Sequence, residues 1–250
     1  MDILGKLAVV TGGSAGIGRA TALALAAKGA EAVVIADVDD PGGHDTAGML
    51  QDAGTLGHYF HIDVTNVTQL AHFFAEVEHR YGPPDIVHNN AGIVSGQPAW
   101  PDTSLARLRQ VIDINLTAVV LGTRLAIEHM RGRGGSIVNT ASMAAFEPLP
   151  DDAVYAATKA AVVAFTRSCR DLSGSLDIRV NTVCPGITDT PILNKTGDGT
   201  FPAGWMLSYI ERLELIEPDD VAAAVIDLIE DDTKAGEFVV VRNRTREGSA

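Results

Sequence analysis

Short apolar, β-branched runs alternate with longer segments of helical periodicity along the chain. The runs predict buried strands, because the strands of parallel sheets are covered on both faces and read as continuous apolar stretches. They are the segments 7–11, 32–36, 58–62, 85–88, 136–140, 178–183 and 237–241. The intervening periodicity predicts helices at 16–28, 43–53, 66–81, 104–132, 152–172 and 218–231.

This alternation predicts an α/β fold: a doubly wound parallel sheet of about seven strands with helices on both faces. Neither a linker nor a repeat interrupts the pattern, so we expect one domain over 1–250. The only long irregular stretch, 186–214, combines Gly, Pro and Thr with large apolar residues. Long loops in compact domains are usually functional, and we expect a substrate lid there.

Composition narrows the class of protein. Apolar residues make up 46% and charged residues 20% of the chain, which is globular rather than disordered. A net charge of −13 disfavours nucleic acid as a partner. We expect no membrane-spanning segment, and the N-terminus does not read as a secretory signal. The two cysteines, Cys169 and Cys184, suit a reducing compartment, so we expect the protein in the cytoplasm.

Residues 11–18 read TGGSAGIG, directly after the first predicted strand and at the start of a helix. Glycines at 12, 16 and 18 allow a tight turn and let a pyrophosphate approach the helix N-terminus, where free N–H groups favour negative charge. Asp37 ends the next strand, 19 residues beyond Gly18. A carboxylate there accepts hydrogen bonds from ribose hydroxyls and repels a 2′-phosphate, which predicts NAD rather than NADP. The alternative is a solvated acid at a strand end.

Tyr155 and Lys159 are four residues apart in a predicted helix, so their side chains share one face. An ammonium about 4 Å away supplies roughly the 3 kcal/mol needed to lower a tyrosine pKa from about 10 to about 7.5. The pair can therefore act as a general base and acid, although ordinary packing explains most such pairs. Ser142 follows a strand at its carboxyl end, where open α/β sheets bind ligands. Asn115 lies in an apolar helical stretch and indicates either a polar network or a capped helix kink.

Several of these segments together resemble the short-chain dehydrogenase/reductase family. They are TGGSAGIG at 11–18, Asp63-Val64, NNAG at 89–92, Asn115, Ser142, YAATK at 155–159 and PGITDT at 185–190, in the order and spacing typical of that family. The resemblance covers about residues 4–241. It implies a single Rossmann-type domain, a nicotinamide cofactor and hydride transfer between a secondary alcohol and a ketone.

The resemblance also implies a role for each matching residue. Tyr155 would exchange the proton with the substrate oxygen, while Lys159 would lower its pKa and bind the nicotinamide ribose. Ser142 would donate a hydrogen bond to the substrate oxygen, and Asn115 would hold a water that links Lys159 to solvent. The remaining cofactor contacts would come from Gly12, Ser14, Gly16, Ile17 and Gly18 at the pyrophosphate, Asp63 and Val64 at the adenine, Asn90, Ala91 and Gly92 along the cofactor, and Pro185, Gly186, Ile187 and Thr190 at the nicotinamide.

Two positions depart from the family pattern. His88 stands where an apolar residue is usual, and we expect a core histidine bonded to the backbone. We propose no metal site. The chain ends in GEFVVVRNRTREGSA in place of the usual Asp-Gly-Gly segment, and the residues before it look more like the NAD-linked hydroxyprostaglandin dehydrogenase branch. A homo-oligomer, dimer or tetramer, built through helices 104–132 and 152–172 is therefore expected, with a frayed basic tail at Arg242, Arg244 and Arg246.

Apolar residues surround the expected substrate position. By family geometry they are Val94, Met143, Phe146, Leu193, Phe201, Trp205 and Met206. They indicate a hydrophobic secondary alcohol or ketone, or a loop that simply packs down. The favoured function is an NAD-dependent alcohol dehydrogenase. A catalytically silent NAD-binding scaffold is the alternative, and a sugar-nucleotide epimerase or dehydratase would normally need a larger chain.

Overall fold

The computed structural model describes residues 1–246, which form one parallel sheet of seven strands in the order β3-β2-β1-β4-β5-β6-β7. The strands are β1 Leu7–Thr11, β2 Ala32–Asp37, β3 Leu56–His61, β4 Ile86–Asn89, β5 Gly135–Thr140, β6 Ile178–Pro185 and β7 Phe238–Val241. The helices are α1 Gly16–Ala27, α2 Asp40–Asp52, α3 Val67–Tyr81, α4 Leu105–Ile112, α5 Ala118–Met130, α6 Ala153–Ser168, α7 Leu172–Leu176, α8 Gly204–Arg212 and α9 Pro218–Glu230. This confirms the predicted fold class. Residues 247–250 of the predicted domain lie outside the described residues.

The two faces of the sheet are covered by different helices, as the buried strands predict. Alternate residues of β1 point in opposite directions. Ala8 and Val10 pack with apolar residues of α1 and α9, whereas Leu7 and Val9 pack with those of α3 and α5. The resulting core lies on both sides of the sheet.

Local signals set the ends of several helices. In α3, the Asn66 side chain accepts a hydrogen bond from the Gln69 N–H, and Gly82 ends the helix with φ +92°. The apolar stripe Leu70, Phe73, Phe74 and Val77 between those ends is buried against the sheet. Because the start, stop and stripe are all local, this helix closely matches its prediction.

The predicted helix 104–132 is not continuous. A π-helical turn, Asp113–Thr117, separates α4 from α5. The sequence period does not reveal this turn, because one extra residue per turn shifts the apolar stripe only slightly. The predicted helix 152–172 is also too long: α6 ends at Ser168, and α7 is a separate short helix.

The predicted irregular stretch 186–214 also needs correction. It contains a short 3₁₀ turn, Asn194–Thr196, and the helix α8. The Gly and Pro residues around α8 masked its periodicity, although Met206 is buried inside it.

By length and composition alone, the stretch Leu105–Met130 is long and apolar enough to cross a membrane. In the fold, however, its second half, α5, packs on β4 and β5 and against α3. A core helix of a soluble protein passes the same test, so the stretch is weak evidence for a membrane span.

The sheet order reverses direction between β1 and β4. Thr11, the last residue of β1, pairs with Ala36 of β2 on one side and Asn89 of β4 on the other. The connections from these two strands leave in opposite directions, which opens a crevice at their carboxyl ends. The candidate site lies there.

Candidate active site

A cleft of about 610 Å³ lies at the carboxyl ends of the strands and holds most of the predicted site residues. Its walls are formed by the segments that follow the seven strands, together with α6 and α8. The predicted residues that line it are Gly12, Ser14, Gly16, Ile17, Asp37, Asp63, Val64, Asn90, Ala91, Gly92, Val94, Ser142, Met143, Tyr155, Lys159, Pro185, Gly186, Ile187, Thr190, Leu193, Trp205 and Met206.

The glycine-rich turn brings backbone close to backbone. Gly12 has φ +66°, and a Cβ on it would lie 2.8 Å from the Ala91 Cα. The helix α1 then begins at Gly16, and its N-cap residue Ala15 provides no side-chain cap, so the first N–H groups of the helix remain available to an anion. Gly18 does not line the cleft, contrary to prediction; a Cβ there would overlap the Gly12 carbonyl, so this glycine serves packing.

Asn90 ties the glycine-rich turn to β4. Its side-chain amide donates to the carbonyl oxygens of Thr11 and Gly12 at 3.2 and 3.0 Å. The Thr11 hydroxyl accepts hydrogen bonds from the backbone N–H groups of Asn90 and Ala91. The two strand ends on either side of the crevice are therefore held in one fixed relation.

Asp37 is not the solvated strand-end acid of the alternative reading. Its Oδ2 accepts from the Ser14 N–H at 3.1 Å and the Ser14 hydroxyl at 2.6 Å, and its Oδ1 accepts from the N–H of Val38 at 2.7 Å. The carboxylate is half-buried at the edge of the cleft. Its negative charge disfavours a phosphate at that edge.

The nearby cation Arg19 is already engaged. Its guanidinium donates to the carbonyl oxygens of Ser14 and Gly42 and to the Thr46 hydroxyl. Arg19 therefore connects the glycine-rich turn to α2 through its Nε and Nη2 donors. A close backbone turn, an uncapped helix start and a carboxylate at the far edge together fit a dinucleotide cofactor.

Tyr155 and Lys159 share one face of α6, as their spacing predicts, and both line the cleft. The Lys159 Nζ lies 5.6 Å from the centroid of the Tyr155 ring and donates to the Thr140 carbonyl oxygen at 2.9 Å. Ser142, at the end of β5, lines the cleft as well, and its hydroxyl donates to the Pro185 carbonyl oxygen at 3.4 Å.

The pKa of Tyr155 is raised, whereas the sequence predicts that Lys159 lowers it. Burial, with the nearby charge of Asp152, raises the pKa of Tyr155 to about 12, while a hydrogen bond with Ser142 opposes the rise. Burial lowers the pKa of Lys159 to about 8, because a buried ammonium loses hydration. In the protein without cofactor, the loss of hydration on burial outweighs the attraction between ammonium and phenolate. The predicted pKa of about 7.5 included that attraction but no effect of burial.

Asn115 lies behind the wall of the cleft rather than on its surface. The π-helical turn directs its side chain at Ile93: Oδ1 accepts from the Ile93 N–H and Nδ2 donates to the Ile93 carbonyl, both at 2.8 Å. The same Oδ1 and the Lys159 Nζ both approach Gly92, at 3.5 and 3.4 Å from the position of an added Cβ. The Asn115 side chain thus bonds outside its own helix, which agrees with the polar network and not with a locally capped kink.

Asp152 fixes the start of the helix that carries Tyr155. Its buried carboxylate accepts from the Tyr155 N–H at 3.2 Å, which caps α6, and from the N–H and hydroxyl of Ser95. The cap therefore also joins α6 to the segment after β4. Tyr155 is positioned relative to that segment through one carboxylate.

The substrate end of the cleft is mainly apolar, and two residues expected there lie elsewhere. Phe146 stacks on Phe238 of β7, with ring centroids 5.1 Å apart, and Phe201 is 70% exposed. Residues that the sequence analysis missed complete the lining, among them Ile62, Ile93, Ile114, Glu147, Pro148, Leu149, Tyr209, Leu213, Arg242 and Asn243.

The C-terminal tail is ordered against the cleft through Arg246 rather than frayed. Glu214 N–H donates to the Arg244 carbonyl at 2.8 Å, and Thr245 forms an antiparallel bridge with Leu213. Arg242 pairs with Glu147 at 3.8 Å on the rim of the cleft. One signal existed in the sequence: the tail follows β7, and the carboxyl ends of parallel strands meet at the same edge.

His88 is fully buried, as expected, but its partner is a side chain rather than the backbone. The His88 Nε2 lies 2.8 Å from the Thr140 hydroxyl, and its Nδ1 has no hydrogen-bond partner. Burial lowers the pKa of His88 to about 3, so the ring is neutral. Within residues 1–246, no group of three or more His, Cys, Asp or Glu side chains is placed to hold a metal ion.

Comparison with known proteins gives concordant matches. The short chain dehydrogenase family profile matches residues 6–200. The chain is 33% identical to bovine (Bos taurus) 15-hydroxyprostaglandin dehydrogenase [NAD(+)] over 96% of its own length and 92% of that protein. It is also 40% identical to probable oxidoreductase EphD of Mycobacterium tuberculosis over 76% of its length, but spans only about a third (32%) of that relative.

A solved structure agrees with these sequence matches. The 3-ketoacyl-(acyl-carrier-protein) reductase from Brucella melitensis, crystallised with NADH, superimposes with a TM-score of 0.84 at 29% identity, and 99% of this chain and 100% of that chain are covered. The strand order, the crevice at β1 and β4 and the matched sequence all agree, and the chain belongs to the short-chain dehydrogenase/reductase family.

Proposed function

We propose that this protein is an NAD-dependent oxidoreductase that interconverts a hydrophobic secondary alcohol and the corresponding ketone. The observation that carries the proposal is the shared cleft: Ser142, Tyr155 and Lys159 line the same cavity as the glycine-rich turn. The cleft also continues into an apolar end, which suits a hydrophobic substrate. Alcohol oxidation requires a group that exchanges the hydroxyl proton close to the bound cofactor, and this cleft offers both sites.

The cofactor, when bound, supplies a hydride acceptor or donor and, in its oxidised form, a positive charge. We propose that the cradle holding it consists of Gly12, Ser14, Gly16 and Ile17, with Asp37 at the ribose. Asp63 and Val64 contact the adenine, and Asn90, Ala91 and Gly92 the middle of the cofactor. Pro185, Gly186, Ile187 and Thr190 contact its nicotinamide end.

NAD is proposed over NADP because of charge. The Asp37 carboxylate repels a 2′-phosphate, and the Nε and Nη2 donors of Arg19 bind Thr46, Ser14 and Gly42. The prostaglandin dehydrogenase relative is named for NAD(+), and the Brucella structure is a complex with NADH. Both support the same choice.

The chain's own residues handle the proton. In the oxidation direction the Tyr155 phenolate takes the proton of the substrate alcohol, while the Ser142 hydroxyl donates a hydrogen bond to the substrate oxygen. The Lys159 ammonium stabilises the phenolate from its anchor on Thr140. Asn115 Oδ1 keeps a second lone pair beside Gly92, which can accept from a water that links Lys159 to solvent.

A substrate panel tests this proposal. Hydrophobic cyclic and long-chain secondary alcohols, with small polyols as comparison, are incubated with NAD while the absorbance of reduced nicotinamide is followed. We expect turnover of hydrophobic alcohols and a loss of at least about 10²-fold in Tyr155→Phe, with NADH affinity retained. Turnover of polyols alone would overturn the substrate class, and NADH binding without any turnover would favour the silent scaffold.

We also propose that the protein works in the cytoplasm as a homo-oligomer assembled through α4, α5 and α6. Leu105 at the start of α4 is 85% exposed and Ile112 at its end is 38% exposed, which leaves apolar surface for a second copy. Light scattering after size exclusion tests this, and we expect Leu105→Asp to shift the mass towards a monomer. A wild-type monomer at micromolar concentration would contradict it.

A further inference from the structure

The tail after β7 makes its most specific contact through Asn243. The Asn243 Oδ1 accepts from the Ile187 N–H at 2.7 Å, and its Nδ2 donates to the Ile187 carbonyl at 2.7 Å. The same Nδ2 donates to the Glu214 carbonyl at 2.8 Å. One side-chain amide thus binds both polar groups of a cleft-lining residue and the chain that follows α8.

The Asn243 amide packs directly against Gly186 and leaves no room for a side chain there. A Cβ on Gly186 would overlap the Asn243 Oδ1 and come within 3.2 Å of the Ile216 Cδ1. The turn Pro185–Ile187 is therefore packed directly on the Asn243 side chain. Because Gly186 N–H also donates to the Val241 carbonyl at 2.9 Å, the turn continues the pairing of β6 with β7.

We propose that Asn243 is a positioning residue that sets the turn Pro185–Ile187 for the nicotinamide end of the cofactor. This inference rests on the proposed function, which places that turn at the nicotinamide. Asn243 touches neither substrate nor the reacting atoms in this role. It acts through Ile187, whose peptide groups it holds in one orientation, and through Glu214, which joins the turn to the base of α8.

The two halves of the cofactor separate this role from a general loss of stability. The dissociation constants of NADH and ADP-ribose are measured by calorimetry for the wild type, Asn243→Leu and the control Arg244→Ala. Leu is close to Asn in shape but lacks donor and acceptor, and Arg244 contacts Glu214 through its backbone, which alanine keeps. We expect Asn243→Leu to weaken NADH about tenfold, or about 1.4 kcal/mol, and ADP-ribose by less than about twofold.

Equal weakening of both ligands, or no weakening of NADH, would overturn the inference while leaving the proposed function intact. A wild type that binds neither ligand would instead overturn the proposed function, and the inference with it. Gly186→Ala provides a second route if Asn243→Leu does not fold. It should weaken NADH in the wild-type background, and adding Asn243→Gly should cause no further loss, because the overlapping atom is gone. Independent, multiplying effects would contradict the proposed contact.

Discussion

The Lys159 ammonium lies over the face of the Tyr155 ring, 5.6 Å from its centroid, and is anchored on the Thr140 carbonyl oxygen. The cation is thus fixed near the phenol by α6 and by the end of β5 together. Burial acts on both groups in the same sense: it raises the pKa of Tyr155 to about 12 and lowers that of Lys159 to about 8. Each effect favours the neutral side chain.

The first prediction concerns Tyr155 in the protein without cofactor. Phenolate absorbance is titrated for the wild type and for Tyr155→Phe from neutral pH to about pH 10, the ordinary tyrosine pKa. We expect the two curves to coincide over that range, because Tyr155 stays protonated. An extra ionisation near pH 7.5 in the wild type would show that Lys159 outweighs burial without any help from a bound nicotinamide.

The second prediction concerns Asp37 and the choice between cofactors. We expect the wild type to bind NADH at least about tenfold more tightly than NADPH, or about 1.4 kcal/mol. Asp37→Asn keeps the size of the side chain and a carbonyl oxygen for Ser14 but removes the charge, so the ratio should fall markedly. Asp45→Asn on the exposed side of α2 is the matched control. Tighter binding of NADPH by the wild type would refute the assignment.

The third prediction concerns Asp152. Its replacement by alanine removes the acceptor for the N–H groups of Ser95 and Tyr155 and for the Ser95 hydroxyl, in a buried position. We expect the free energy of unfolding in urea to fall by about 2–4 kcal/mol, since buried donors are left without partners. Asp151→Ala, at the half-buried neighbour, should cost much less. A loss under about 1 kcal/mol for Asp152→Ala would mean that water replaces the carboxylate.

The fourth prediction concerns acid stability and His88. Its pKa falls to about 3 on folding, from 6.5, because burial disfavours the charged ring. Between those two pH values the unfolded chain binds a proton that the folded chain does not, so the free energy of unfolding decreases as the pH falls. His88→Leu should flatten the pH dependence in that window, by up to about 1.4 kcal/mol per pH unit.

Urea unfolding at several pH values measures this difference. His72→Gln on the exposed side of α3 is the control, because that ring meets solvent in both states. Parallel pH profiles for the wild type and His88→Leu would show that the buried ring contributes nothing to acid unfolding.

The parts of the fold that follow from local pattern could be predicted from the sequence. The apolar runs of the strands and the capping residues of α3 lie within a few residues of the elements they define. The glycine-rich turn likewise indicates the position of the crevice beside it. The π-helical turn at Asn115 could not be predicted, because the hydrogen-bond partner of Asn115 is the backbone of Ile93, 22 residues away. The position of Phe146 was predicted wrongly for a similar reason, because its ring packs against Phe238 of β7, which is distant in the sequence.

The sequence indicated which residues line the cleft better than it indicated their pKa values. Spacing placed Tyr155 and Lys159 on one face, but the burial that governs their pKa values arises only in the packed tertiary structure. The tail was missed because its order comes from hydrogen bonds to residues 212–214 and to Ile187, with little in its own sequence to indicate them.

The π-helical turn has a counterpart on the other side of the cleft. Asn115 and Asn243 each offer one isoleucine, Ile93 or Ile187, an acceptor for its N–H and a donor for its carbonyl. Each isoleucine lies in the segment that follows a strand, β4 or β6, and each side chain pairs with it as a neighbouring peptide unit would. Asparagine carries its acceptor and its donor on two atoms of one planar amide, so aspartate at either position would lose the donor and leucine would lose both.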